Sequence, residues 1–150
     1  MKTMITLVVV TLGLLWSQAQ VDAQQGQTEA SKLLGSFQIV SGERSGEKIV
    51  ADELKGLVVR IGDNAITTFD KDSKKIYAAT YELDTSRKPW PITMTATITP
   101  MNGEGVKADG LIKMAGDTVQ LIYTLPGGKT PTEFKTHEQQ QMFTLKRSDQ

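Results

Sequence analysis

Few residues in this chain are of a type that does chemistry, and their spacing gathers no working set. His137 is the single histidine and there is no cysteine, so a zinc site would have to be built almost wholly from carboxylates, against zinc's preference for nitrogen and sulfur. No metal is expected. As a general base His137 has no partner, because Thr136-His137-Glu138-Gln139-Gln140-Gln141 reads as a polar loop without a nucleophile elbow. Asp70-Lys71-Asp72-Ser73 opens like a calcium loop, yet Lys74 stands at the fifth position, Lys75 where glycine is needed and Tyr81 where a bidentate glutamate belongs. Gly128-Lys129-Thr130 copies the end of a phosphate-binding loop, but the earlier glycine is replaced by Tyr123 and Pro131 blocks the helix that should follow. Asp52 and Glu53 are adjacent and face different directions on a helix, which suits complementing a helix dipole rather than acid/base cooperation across a substrate. No nucleophile, base and orienting group can be assembled from these residues. A non-catalytic protein without a cofactor is expected.

What remains is apolar recognition. Phe37, Tyr81, Met94, Met114 and Tyr123 are the expected contacts for a small apolar or amphipathic ligand, with the tyrosine hydroxyls or Arg147 orienting a polar group. The alternative is that the same side chains fill the interior and the protein is a packed scaffold acting through its loops. Trp90, held between Pro89 and Pro91, and Pro131-Thr132-Glu133-Phe134 are the contact points in that case.

The elements that must position these residues are short strands. Ile92, Met94, Ala96 and Ile98 alternate strictly with Thr93, Thr95 and Thr97, so one face is buried and the other is wet. Val119, Leu121, Tyr123 and Leu125 repeat the pattern, with Ile122 out of phase, and Tyr77, Ala79, Tyr81 and Leu83 share one face of Ile76 to Leu83. Gly62-Asp63-Asn64 and Gly116-Asp117 are hairpin turns. Ser41 to Lys48, rich in glycine, serine and charge, reads as a loop, and Val50 to Gly56 as a short helical turn near residues 51–55. In Leu57 to Ile61 apolar residues occupy both phases, so the inward face stays undecided.

About eight strands without a long helical pattern leave a sandwich or a barrel. A barrel removes exposed edges, and it requires the end stretches Leu34 to Val40 and Met142 to Arg147 to pair. Phe37 then points inward, and Arg147, in phase with Phe143 and Leu145, either lies across its ring at a closed pole or is a frayed surface charge near the last residues. The expected interior face is Phe37, Ile39, Tyr81, Met94, Ile112, Met114, Val119, Leu121, Tyr123 and Phe143. The opposite mouth is where a ligand belongs. The fold class is all-β, a single antiparallel up-and-down barrel.

Lys2 followed by an apolar run from Met4 to Trp16 reads as a secretory signal, shorter than the ~20 residues that span a bilayer. Cleavage is placed after Ala23, which makes 1–23 a signal peptide, 24–31 a flexible polar tether and 32–150 the barrel domain. The product is exported, to periplasm or medium, with no stable membrane span after cleavage. Lys+Arg and Asp+Glu are balanced at 17 each, which gives no counterion-release drive towards nucleic acid and no attraction to anionic lipid. Without disulfides, stability rests on packing and hydrogen bonds.

Leu34-Gly35-Ser36-Phe37 resembles the Leu-x-Gly-x-Trp opening of lipocalin-type barrels, with phenylalanine for tryptophan and a basic residue near the end as companion. More narrowly, Gly35 to Glu43, Gly46-Glu47-Lys48, Glu53-Leu54-Lys55-Gly56, Tyr81-Glu82-Leu83-Asp84, Gly127-Gly128-Lys129, Pro131-Thr132-Glu133-Phe134 and Leu145-Lys146-Arg147 resemble a family of small exported proteins of planctomycete bacteria. The resemblance spans Leu33 to Arg147 and implies an exported lipocalin-like domain of unknown function, with no catalytic residues to carry over.

Overall fold

Each strand is short, half-buried and followed by a turn that sends the chain back antiparallel, so the strands close on themselves. In the computed structural model, which describes residues 17–100 and 103–149, the order is α1 (Ser17–Ser31), β1 (Gly35–Arg44), β2 (Glu47–Lys48), α2 (Ala51–Leu54), β3 (Val58–Ile61), β4 (Ala65–Phe69), β5 (Lys75–Leu83), β6 (Trp90–Ile98), β7 (Lys107–Ala115), β8 (Thr118–Thr124) and β9 (Gln140–Arg147). Strands β3 to β9 pair in chain order, and β1 pairs with β3 on one side and β9 on the other. The result is a closed, eight-stranded antiparallel up-and-down barrel of lipocalin-like topology, with β2 a two-residue flap on β1.

Closure sets the phase of β1. Phe37 pairs with Arg147 and Ile39 with Leu145, and then the register shifts by one residue so that Ser41 opposes Thr144. Val40 is the extra residue and is 53% exposed. Such a bulge inverts which residues face inward beyond it. Gly42 now shares the face of Phe143, and Arg44 that of Gln141. This corrects the expected loop from Ser41 to Lys48. Pairing with β9 and β2 holds most of it in strand despite its composition, with Ser45 and Gly46 as the turn, both at positive φ.

All ten expected interior residues lie in the core or pack against it. Val59 and Ile61 are buried, which decides the inward face of β3. Ile98 departs from the expected alternation: the register of β5 against β6 shifts between Ala78 and Ala79, and Ile98 ends exposed beyond the shift. Ile122, the out-of-phase residue, is fully buried. The chain from residue 125 to 139 returns along this outer side, where the Phe134 ring sits 4.2 Å from Lys113 Nζ on neighbouring β7. Gly110 lets β7 and β8 approach closely, since a Cβ there would lie 2.1 Å from the Ile122 carbonyl oxygen.

One pole is packed shut. The Arg147 guanidinium lies 4.7 Å from the Phe37 ring centroid, and Arg147 Nη1 donates to the Leu34 carbonyl at 2.9 Å while Nη2 donates to that of Lys32. Gly35, at φ +139°, leaves space for the guanidinium, because a Cβ would meet Nη1 at 2.6 Å. Trp90 is buried at the same pole, its Nε1 without a partner among the described residues.

The segment 24–31, expected from its composition as a tether, lies in a helix. It belongs to α1, and it docks through small residues rather than a broad apolar face: buried Gly26 approaches the Thr85 backbone, Ala30 packs on the core and Glu29 pairs with Lys88. Leu33, just past the helix, is 1% exposed. Of the expected signal peptide, residues 1–16 lie outside the described residues, and the expected cleavage point after Ala23 falls within α1. Among the described residues no helix is long and apolar enough to cross a membrane.

Candidate ligand cavity

The pole opposite Arg147 is open. A cavity of about 710 Å³ enters the barrel there, within the range of small-molecule sites. Val59, Ile66, Met94, Leu121 and Leu145 belong both to its lining and to the packed core, so they form its floor. Above them Ile39, Tyr77, Tyr123 and Phe143 make the walls, with the Tyr123 and Phe143 rings 6.4 Å apart and tilted by 41°. Gly42 keeps this level open, since a Cβ there would press on the Phe143 ring at 3.0 Å.

The polar groups gather on three neighbouring strands. Tyr123 of β8 pairs with Gln141 of β9, and Gln141 pairs with Arg44 of β1, so the three stand in one row facing the cavity. Directly opposed residues hold their Cβ atoms ~5 Å apart. Arg44 Nε donates to Gln141 Oε1 at 3.2 Å. Tyr77 lines the cavity from β5, on the wall opposite β9, and burial pushes its hydroxyl and that of Tyr123 above their ordinary range. For Tyr123 burial is the largest cause, the Tyr77 phenol adds to it, and the Arg44 cation acts in the opposite direction.

The rim is held by the long return from β8 to β9, which contributes Leu125, Pro126 and Gln139. The Glu43 carboxylate accepts the Thr136 N–H at 3.1 Å and its hydroxyl, and Thr136 Oγ1 accepts the Gly46 N–H at 2.8 Å. These bonds hold Glu43 ionised below the usual carboxylate range. Buried Gln140 staples the same segment, accepting the His137 N–H and donating to the Lys129 carbonyl, both at 2.8 Å.

Of the six expected ligand contacts, Met94 and Tyr123 line this cavity. The other four do not. Phe37 and Arg147 are joined to each other at the closed pole, and Arg147 borders a groove outside the barrel instead. Tyr81 spends its hydroxyl on the Gly62 carbonyl at 2.7 Å, and Met114 faces the α1 side beside Trp90. Residues missed from sequence are Arg44, Gln141 and Tyr77. Tyr77 stood on the inward face of its strand; Arg44 was hidden by the bulge.

The other candidates are placed away from the cavity. His137 meets Glu133 at 3.0 Å, both exposed, and Asp70 Oδ1 accepts the N–H groups of Asp72 and Lys74 in a hairpin tip. No group of three or more histidine, cysteine or carboxylate side chains suited to a metal ion occurs among the described residues.

No family model matches the chain, and no curated protein matches it. Among solved structures it is similar to an uncharacterised protein from Bacteroides eggerthii, at 8% identity and a TM-score of 0.44, over 76% of this chain and 98% of that one.

Proposed function

We propose that this is an exported, non-catalytic barrel that binds a small apolar or amphipathic molecule inside its open end. The observation that carries the reading is the cavity of about 710 Å³, floored by Met94 and walled by aromatic side chains. Burial of ligand surface there is worth ~25 cal/mol per Å² of apolar area. The polar row confined to one side of the mouth supports a binding role. The packed-scaffold alternative is weakened by the cavity itself, and its contact points are engaged within the fold: Trp90 is buried and Phe134 stacks on Lys113.

The export signal at Lys2 to Ala23 supports a periplasmic or extracellular setting. The motifs from Gly35 to Arg147 support membership in the small planctomycete family they resemble. Native mass spectrometry of the full-length gene product, recovered after export, tests the binding reading. A non-covalent adduct, identified after extraction, is expected. Absence of an adduct together with failure of fluorescent fatty-acid analogues to bind overturns it.

A further inference from the structure

The cavity lining contains one charged side chain among the described residues, Arg44. Its Nε is taken by Gln141, which leaves the Nη edge of the fork without a protein partner among the described residues, and no carboxylate there pairs with it. Of the two neighbouring acids, Glu43 points to the opposite face of β1 and is committed to Thr136, and Glu47, opposed to Arg44 on β2, is exposed and makes no ion pair with it. Gln141 is 8% exposed, and its amide nitrogen has no partner among the described residues once the carbonyl oxygen accepts from Arg44. The Tyr77 and Tyr123 hydroxyls likewise make no hydrogen bond to described residues, although the third tyrosine does. Three donor groups thus stand in one row on β8, β9 and β1, and the Tyr77 hydroxyl belongs to the opposite wall on β5, in a mostly apolar chamber.

Resting on the binding reading above, we infer that the ligand is an anionic amphiphile with a single negative charge, a straight-chain monocarboxylate, its head held by Arg44, Gln141 and Tyr123 and its tail running down to Met94. Donors outnumber acceptors in the row, which favours a head group that only accepts. A planar carboxylate matches two N–H groups on one edge of a guanidinium. One cation balances one negative charge, whereas a phosphate monoester, close to two charges at neutral pH, would leave charge unmatched in this lining.

The test is calorimetric titration of the delipidated full-length exported protein with dodecanoate and with dodecanol. The acid is expected to bind about tenfold or more tightly than the alcohol. Arg44→Met, which keeps length and removes the charge, is expected to erase that preference by weakening the acid about tenfold or more. Tyr123→Phe checks the same point without touching the arginine and is expected to narrow the preference as well. Equal affinity for acid and alcohol in the unaltered protein, or equal loss of both in Arg44→Met, overturns the head-group assignment and leaves the cavity as an apolar site. Binding of neither overturns both readings.

Discussion

Arg147 holds the two ends of the chain together through Phe37: its guanidinium lies over the ring at 4.7 Å and at the same time donates to two carbonyls in the segment before β1. A planar fork does this and an ammonium does not, because Lys cannot cover a ring and satisfy two separated oxygens together.

Arg147→Met and Arg147→Lys are therefore expected to lose similar stability, ~1–3 kcal/mol, in urea denaturation. Phe37→Ala removes a ring with no exposed surface and is expected to cost ~3–5 kcal/mol. Their combination should cost less than the sum, because each single change already breaks the shared contact. Strict additivity in the double variant would show that the guanidinium and the ring act independently.

Much of this pole was legible in the chain and much of the mouth was not. Phe37 and Arg147 announce themselves because β9 has one unbroken alternation from Phe143 to Arg147, and Ile92 to Ala96 gives its strand the same clarity. Arg44 could not be read that way. Counting by twos from Phe37 places it outside, and the single extra residue at Val40 that brings it in leaves no mark in composition. α1 was hidden for a different reason: Gly26 and Ala30 contribute close approach instead of apolar area, and a helix held by tertiary contacts does not show in its own periodicity. Arg147, expected beside a ligand, stands at the closed pole, and the arginine that lines the cavity is Arg44.

The mouth should loosen in acid. Hydrogen bonds from Thr136 hold the Glu43 carboxyl below its ordinary value, with Lys135 and Lys48 adding smaller contributions. A depressed carboxyl contributes stability that is whole above the unfolded value of ~4.3 and is lost as pH falls through the folded one. Amide-exchange protection at Gly46 and Thr136 is expected to fall over that acid window while β6 and β8 stay protected. In Glu43→Gln, protection at these two amides should be low at every pH. A variant with the same acid-dependent loss as the unaltered protein would mean that another group controls the rim.

The opposite limit is alkaline, and it is set by the tyrosines. The chain has three, and all are pushed above the ordinary phenol value of 10.0, with burial the first cause for each, Asp63 adding to Tyr81 and the Tyr77 phenol to Tyr123. A raised phenol means that the folded state keeps its proton after the unfolded chain has released it. The stability these groups contribute is complete below pH ~10 and declines as pH rises through the folded values. Phenolate absorbance of the folded protein is expected to rise only above that pH and to coincide with unfolding, whereas in denaturant it should rise at the ordinary value. A bound monocarboxylate beside Tyr123 adds a negative charge next to the same phenol, so the alkaline transition should move further up when dodecanoate is present and stay in place with dodecanol. A phenol titrating normally in the folded, ligand-free protein would show that water reaches these hydroxyls more freely than the closed walls allow.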